Sequence, residues 1–210
     1  MKGIEVETVI RDSKLKWLTP IFENWIQVNL DYIEYQKYDD ALYWYNERAN
    51  ISALAGAIWR SGGLAIEEYS AMKGDAKNRI NGRIDLYFSL KEKAALVEAK
   101  MAWLYLSNRS TKTLESVLNA SLSAAMNDIN KTIAAKDNAE KYNFGISFIV
   151  PYWKNGYSQK DADQKMKDLK KALKKSKCDF YVFFKNTSAK HIVSLKENVC
   201  DSVIMVGRRA

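Results

Sequence analysis

Hydrophobic residues recur every three or four positions in four stretches of the chain, a spacing typical of amphipathic helices. Two of these stretches come first, at residues 14–31 and about 39–60, and the others span roughly residues 111–135 and residues 160–176. In the second stretch the repeating positions are Tyr43, Glu47, Ile51, Leu54 and Ile58. Ser61-Gly62-Gly63 follows them and is expected to end that helix.

Shorter segments of alternating or continuous hydrophobicity predict strands between these helices. Three of them precede the long third helix and are expected to be consecutive antiparallel strands; they span residues 64–70, 83–88 and 95–103. Turn signals occur at residues 73–75 and at Asn81-Gly82. Three more strands are predicted at residues 144–150, where Pro151 ends the strand, 180–184 and 202–206. The order α-α-β-β-β-α-β-α-β-β predicts an α/β fold with a mixed sheet.

The composition fits one globular domain of 210 residues, with 47% hydrophobic and 28% charged residues and two prolines. Within it we distinguish N-terminal helices (1–60), a central part that carries the motifs (61–150) and a basic C-terminal αββ part (151–210). Two cysteines without a CxxC pair exclude a Cys/His zinc site. The N-terminus has no apolar leader segment and no stretch is apolar enough to span a membrane, so we expect a soluble cytoplasmic protein.

The net charge of +8 is concentrated in the second half of the chain. Lys and Arg balance Asp and Glu in residues 1–100 (14 against 15) but exceed them in residues 101–210 (19 against 10). Such an excess favours nucleic acid as a partner, because Lys and Arg that bind phosphates release counterions. A solvated, solubilising surface is the alternative. In the lysine-rich helix, Lys170, Lys171 and Lys174 either contact a DNA backbone or form this solvated face.

Two neighbouring strands carry charged residues among their hydrophobic ones, in Gly82-Arg-Ile-Asp-Leu-Tyr-Phe88 and Leu96-Val-Glu-Ala-Lys100. Alternation places Arg83, Asp85 and Tyr87 on one face of the sheet and Ile84, Leu86 and Phe88 on the other. A hairpin with loop 89–94 pairs Phe88 with Ala95 and therefore Asp85 with Glu98. Directly paired side chains have Cβ atoms about 4.5–5.5 Å apart. Two carboxylates at that distance repel each other unless a cation lies between them.

This pair of carboxylates predicts a site for Mg²⁺ or Mn²⁺, because hard divalent cations prefer oxygen ligands. Asp85 and Glu98 would bind the ion, with the carbonyl of Ala99 as a third ligand. Lys100 shares a face with Glu98 and would orient a nucleophilic water or offset charge on a phosphoryl oxygen. Together these groups are suited to hydrolysing a phosphodiester bond. The alternative is a surface hairpin with incidental charges.

A third carboxylate can come from either of two positions. Glu47 lies on the hydrophobic stripe of the second helix and points toward the surface on which that helix packs, where a carboxylate needs a partner. It would be a third metal ligand or position a water molecule. Glu68 is the rival, and alternation allows only one of Glu67 and Glu68 to face the site. Arg83 lies opposite Lys100 in the same register, which indicates a phosphate contact or a register that is wrong by one step.

The arrangement of Glu47 on a helix, Gly82-Arg83-Ile84-Asp85 and Val97-Glu98-Ala99-Lys100 on strands, then a long helix and a strand, resembles the PD-(D/E)XK nuclease superfamily. The resemblance covers roughly residues 47–150, and Ile84 replaces the proline that names the motif. It implies a restriction-endonuclease-like fold, an αβββαβ core with a mixed central sheet, and Mg²⁺-dependent cleavage of DNA or, less often, RNA. It also implies that Asp85 and Glu98 bind the metal, that Lys100 is the catalytic lysine and that Glu47 is the acid from the helix.

We therefore expect a Mg²⁺-dependent endonuclease that acts on DNA. The alternative is a non-catalytic nucleic-acid-binding or protein-interaction module with the same fold. The aromatic residues of the first two helices, which include Trp17, Trp25 and Tyr43, most simply pack these helices together. They also offer a surface for a twofold homodimer.

Overall fold

The computed structural model of the protein describes residues 3–74, 79–107, 110, 113–132, 142–188 and 197–210. In these residues the helices are α1 (Thr19–Tyr35), α2 (Glu47–Arg60), α3 (Leu114–Lys131) and α4 (Gln159–Lys175). The strands are β1 (Ile4–Ile10), β2 (Leu64–Gly74), β3 (Arg79–Leu90), β4 (Lys93–Tyr105), β5 (Tyr142–Lys154), β6 (Phe180–Asn186), β7 (Asn198–Val199) and β8 (Ser202–Arg209). None of these helices is long and apolar enough to cross a membrane.

The strands form a mixed sheet, which confirms the predicted α/β class. Its order is β1-β6-β8-β5-β4-β3-β2, and the short β7 pairs with β5 outside this path. Strands β4 and β5 run parallel, with α3 as the connection between them, and the other pairs along the path are antiparallel. The β3–β4 and β4–β5 pairs bring the charged motifs into the interior of the sheet, away from both edges.

Helices cover both faces of the sheet. On one face, α1 and α2 enclose the larger hydrophobic core, where the fully buried Trp25 stacks on Phe148 with ring centroids 6.3 Å apart. Burial of a large apolar side chain contributes about 1.5–3 kcal/mol. On the other face, α3 and α4 enclose a second core. Trp25 and Tyr43 are fully buried, so the interpretation that the N-terminal aromatic residues pack the helices holds for them, whereas Tyr35, Tyr38 and Tyr45 are exposed.

The N-terminal 60 residues differ from the prediction of helices alone. Residues Ile4–Ile10 form an edge strand that pairs with β6, although the sequence analysis assigned this segment no structure. The second predicted helix, at residues 39–60, begins only at Glu47, because the side chain of Asn46 accepts the backbone N–H of Ala49 at 2.9 Å and caps α2. A short 3₁₀ turn at Leu42–Trp44 precedes it.

Two predicted strand boundaries are wrong for identifiable reasons. Asn81-Gly82 is no turn but lies inside β3, where it pairs with Ala71 and Met72. Pro151 does not end β5, because it lies between Ile149, the last residue paired with β8, and Trp153, the first paired with β7. A proline is tolerated where no ladder hydrogen bond is required of its nitrogen.

Candidate functional site

The predicted hairpin between β3 and β4 is present with the predicted register, but its ladder extends to Leu90 with Lys93, so the loop is residues 91–92 and not 89–94. Phe88 pairs with Ala95, and the pairing continues to Leu86 with Val97, where it stops. One further step would pair Asp85 with Glu98. Instead the carboxylate of Asp85 accepts the backbone N–H of Ala99 at 2.7 Å. We call the region beyond Leu86 and Val97, where the two strands no longer pair, the β3–β4 gap.

The alternation of side chains along β3 changes at Asp85. Leu86 and Phe88 belong to the core under α1 and α2, but Ile84 packs with Leu96 and Ile129 on the face of α3. The prediction that Ile84, Leu86 and Phe88 share one face is therefore wrong. At its far end, the β2–β3 hairpin lies against the end of α3 and not against β4. There Lys73 of β2 forms an isolated backbone bridge with Thr132, the residue that follows α3. This departure opens the β3–β4 gap.

Glu47, the first residue of α2, reaches the gap from the helical layer. Its Oε2 accepts the backbone N–H of Met101 at 2.9 Å. The amides of Ala99 and Met101 are two residues apart, so they point to the same edge of β4. Two carboxylates, those of Asp85 and Glu47, thus replace the carbonyls that a paired β3 would have supplied. Glu47 lies close to Asp85, as the sequence analysis expected.

Glu98 is 2% exposed and lies on the side of the sheet that α3 covers. Its Oε1 is 2.5 Å from the Nζ of Lys73, and the hydroxyl of Thr132 donates to it at 3.5 Å. Lys73 belongs to β2 and crosses over Gly82 of β3 to reach β4. A Cβ atom at Gly82 would lie 2.9 Å from Cγ and Cδ of Lys73, so a side chain there would obstruct the ion pair.

Lys100 lies between the two capped amides of β4. Its Nζ donates to the carbonyl of Ala99 at 2.9 Å and is 3.0 Å from Oδ2 of Asp128 on α3. Sequence analysis missed Asp128 and Lys73. Asp128 directly precedes Ile129, which belongs to the buried stripe of α3. This neighbourhood is the sequence signal that could have indicated that Asp128 lies beside the sheet.

Burial and mutual repulsion shift the pKa values of this cluster. Burial raises the pKa of Glu47, and the negative charges of Asp85 and Asp128 add to the effect, against the opposing charge of Lys100. Burial and Asp85 likewise raise the pKa of Glu98 against the effect of Lys73. Burial would lower the pKa of Lys100, but the hydrogen bond to Asp128 and the charges of Glu47 and Asp85 outweigh it and raise the pKa. Lys100 is therefore a protonated ammonium group at neutral pH.

A cavity of about 400 Å³ opens beside Asp85 and Glu47. Its lining residues are Glu47, Arg48, Ile51, Ser52, Glu67, Glu68 and Asp85. Glu67 and Glu68 both line it, so the prediction that only one of them can face the site is wrong. Glu68 has a φ of +53° and is not paired with β3, which changes the direction of its side chain. It forms ion pairs of 3.3 Å with Arg48 and with Arg83.

The oxygen atoms around the gap, which belong to carboxylates and to the carbonyl of Ala99, are ligands that a hard divalent cation prefers. Burial is the main cause of the raised pKa values of Glu47 and Glu98, and the negative charge of Asp85 adds to it, so a cation bound there would favour their ionised forms. Their side chains are not gathered on one point: in the described part of the chain, no three His, Cys, Asp or Glu residues are placed to hold a metal ion together. Glu98 in particular is turned to Lys73. The residue types are suited to a divalent cation, but Glu98 would have to release Lys73 in order to bind one.

The predicted DNA-binding lysines lie apart from this cluster. Lys170 pairs with Glu5, and Lys174 is 3.5 Å from Glu7, both on β1. Strand β1 is four strands from β4, or about 19 Å at the usual spacing between strands. Lys171 is exposed and lines a cleft together with Leu114 and Glu115 of α3. Arg83 is exposed at the rim of the cavity, and it is not paired with Lys100, because the β3–β4 ladder ends before it.

Comparisons with protein-family models, with curated proteins and with solved structures found no match to this chain.

Proposed function

We propose that this protein is a divalent-cation-dependent nuclease that hydrolyses phosphodiester bonds of nucleic acid, with DNA as the main substrate. The observation that carries the proposal is the β3–β4 gap. There, carboxylates from a helix and from a strand, Glu47 and Asp85, cap the amides on either side of Lys100. A sheet interior excludes charged groups unless they are paired or functional, and this one gathers acidic groups beside an accessible cavity.

The candidate cation ligands are Asp85, Glu98 and the carbonyl of Ala99, with Glu47 as the third acid. Mg²⁺ or Mn²⁺ held there would supply positive charge against the phosphate and acidify a nucleophilic water. Glu68 is less suited to be the third acid, because its carboxylate is paired with Arg48 and Arg83. These two arginines stand at the entrance of the cavity, where they can contact phosphates on either side of the bond that is cleaved.

Lys100 is the proposed catalytic lysine. Its raised pKa keeps the ammonium group charged at neutral pH, so it acts by donating hydrogen bonds and not as a base. Asp128 and the carbonyl of Ala99 hold the Nζ in place, which fixes its direction before substrate binds. From there the ammonium group would position the attacking water or neutralise a phosphoryl oxygen.

We also propose that the fold is restriction-endonuclease-like. The order α2-β2-β3-β4-α3-β5, with β4 and β5 parallel and the acidic groups on α2, β3 and β4, agrees with an αβββαβ core. A twofold homodimer would allow both strands of a duplex to be cut.

A non-catalytic nucleic-acid-binding or protein-interaction module of the same fold is the second candidate. The ion pair between Lys73 and Glu98 favours it, since a buried carboxylate that already has a cationic partner needs no metal ion. In that case Asp85 and Glu47 would serve only to cap the edge of β4.

Cleavage assays distinguish the two candidates. We expect the wild type to nick plasmid DNA in Mg²⁺ or Mn²⁺ and not in EDTA. Asp85→Asn, Glu98→Gln and Lys100→Met should each reduce the rate at least about 100-fold, the usual cost of removing one group that stabilises charge in the transition state. Glu92→Gln, in the exposed turn between β3 and β4, is the matched control and should cleave normally.

Thermal unfolding and circular dichroism should confirm that each variant is folded. The proposed nuclease function would be refuted if the wild type showed no metal-dependent cleavage of duplex, single-stranded or branched DNA or of RNA. Cleavage that survives Asp85→Asn would refute the site.

A further inference from the structure

Three aromatic side chains form a cluster on the sheet next to the β3–β4 gap. Tyr105 of β4 and Tyr152 of β5 are paired in the sheet, and their rings stack with centroids 5.2 Å apart. Trp103 meets the edge of Tyr152 at 5.8 Å, with the planes at 82°. We call these three residues the aromatic strip. Trp103 is 43% exposed, so the strip presents an open ring surface to solvent.

The aromatic strip continues the strand that carries the candidate site. Trp103 and Tyr105 follow Met101 by two and four residues, so they share its face of the sheet. At about 3.3 Å per residue, Trp103 lies roughly 7 Å beyond Met101, or about two stacked nucleotide steps of 3.4 Å. Helix α2 covers the sheet at Met101, where Asn50 approaches its sulfur at 3.8 Å. Beyond Met101 the exposed ring of Trp103 indicates that this cover ends.

Other exposed aromatic side chains in the described part of the chain are placed differently: Tyr69 of β2 is 38% exposed and its ring lies 5.5 Å from that of Tyr87 of β3, but neither residue is on β4 or β5. Trp59, near the C-terminal end of α2, is 55% exposed but has no ring partner among the described aromatic contacts. Isolated exposed apolar residues are normal and need no explanation. In the aromatic strip the ring of Tyr152 contacts those of both Trp103 and Tyr105. Burial raises the pKa of Tyr152, so its hydroxyl carries no charge that would repel a phosphate.

We propose that the aromatic strip stacks against unpaired nucleobases of the substrate, next to the phosphate bound at the β3–β4 gap. The proposal rests on the proposed function and defines its substrate class as single-stranded or locally unpaired nucleic acid. Bases in a duplex stack on their neighbours and do not offer a free face. An unpaired base does, and stacking on an aromatic side chain contributes about 1–3 kcal/mol per base with little dependence on sequence.

The test measures binding in the absence of cleavage. Asp85→Asn protein in EDTA is titrated into fluorescein-labelled oligodeoxynucleotides of one sequence, either single-stranded or as a duplex, and anisotropy reports the affinity. Trp103→Ala should weaken single-strand binding about 5- to 150-fold and leave duplex binding within about twofold. Trp103→Phe should retain most of the affinity. Trp59→Ala removes a more exposed tryptophan outside the aromatic strip and should change neither affinity.

Unchanged single-strand affinity in Trp103→Ala, or an equal loss for single strand and duplex, would overturn the proposal. Thermal unfolding of each variant, and a repeat of the titration with wild-type protein in EDTA, exclude a folding defect as the cause. The outcome is independent of catalysis. Stacking without any cleavage would refute the nuclease function and support the aromatic strip as a binding surface. Cleavage without stacking would support the nuclease function and refute the role of the aromatic strip.

Discussion

The two candidate functions give Glu98 the most different roles. A nuclease needs its carboxylate for a cation, yet the carboxylate is buried against the ammonium group of Lys73. The ion pair provides positive charge where the cluster lacks it, and a divalent cation has to compete with it. In the proposed nuclease, Lys73 would therefore set how tightly Glu98 binds a metal ion.

We predict that Lys73→Met makes the protein less stable without divalent cations and more responsive to them. Loss of the ammonium group leaves a buried carboxylate without its partner, at a cost of about 1–3 kcal/mol. Bound Mg²⁺ or Mn²⁺ would replace the missing charge, so the increase in Tm with added cation should exceed that of the wild type. Thermal unfolding across a cation titration measures both effects.

Lys91→Met, in the exposed turn between β3 and β4, is the control for loss of a lysine and should behave as the wild type. The double variant Lys73→Met/Glu98→Gln should lose the added response. An equal increase in Tm for Lys73→Met and the wild type would show that Glu98 takes no part in binding the cation.

Glu47 contributes to the pH dependence of stability, as do other buried carboxyl groups such as Glu98. Burial raises the pKa of Glu47 in the folded state above the ordinary value of 4.5, so the folded protein binds this proton more tightly than the unfolded chain. The stabilisation is complete below pH 4.5 and is lost as the pH rises through the raised pKa. We predict that Glu47→Gln, which keeps an oxygen acceptor for Met101, raises Tm by a few degrees at pH 7 in EDTA.

The gain in Tm should shrink as the pH falls toward 4.5, where the wild-type carboxyl group is also neutral. Glu92→Gln alters an exposed turn and should leave Tm unchanged at both pH values. A lower Tm for Glu47→Gln at pH 7 would mean that attraction to Lys100 outweighs the cost of burial.

At the scale of secondary structure, the β3–β4 gap could be predicted only in part. The hairpin register followed from alternation and a short loop, and the pairing of Phe88 with Ala95 is correct. Alternation assumes a regular strand, however, and Asp85 interrupts β3 by taking a backbone amide of β4 as its partner. The cause is tertiary, since Ile84 packs on Ile129 of α3, and no local pattern in the sequence carries that contact.

Glu47 reaches the β3–β4 gap, but not for the reason that the hydrophobic stripe indicates. Glu47 was singled out because it continued a stripe that begins at Tyr43, but Tyr43 lies in a 3₁₀ turn before the helix. Glu47 reaches the gap because it is the first residue of α2 and projects from the end of the helix toward β4. Strand β1 was not predicted, although Ile4-Glu5-Val6-Glu7 alternates apolar and polar residues, because its partner strand β6 lies 170 or more positions away in the sequence.

The capping role of Asp85 predicts that Ala and Asn substitutions there have different effects on stability. Asp85→Ala leaves the amide of Ala99 without an acceptor in a partly buried position and should cost about 1–3 kcal/mol. Asp85→Asn keeps an oxygen acceptor and should unfold within about 0.5 kcal/mol of the wild type. Chemical denaturation measures the difference, and hydrogen exchange at Ala99 should be faster in Asp85→Ala alone. Equal stability of the two variants would contradict the capping role.

For the whole molecule, the net charge of +8 does not by itself locate a nucleic-acid surface. From the sequence, Lys170, Lys171 and Lys174 of α4 are either DNA contacts or part of a solvated face, and two of these lysines are paired with Glu5 and Glu7. These pairings cross from α4 to the edge strand β1, which the sequence analysis had not assigned. Arg48 and Arg83, at the cavity beside Asp85, have side chains that are 79% and 65% exposed.

We therefore predict that DNA binding depends on the arginines at the cavity more than on α4. For wild-type protein in EDTA, the logarithm of the affinity for duplex DNA should fall linearly with the logarithm of salt concentration. Arg83→Gln should reduce that slope by about 0.9, the value for one phosphate contact, and Arg48→Gln should do the same. Lys171→Gln, which removes an exposed charge from α4, should leave the slope unchanged. A smaller slope for Lys171→Gln with no change for Arg83→Gln would move the nucleic-acid surface to α4, and the cavity beside Asp85 would then not be where the phosphate backbone binds.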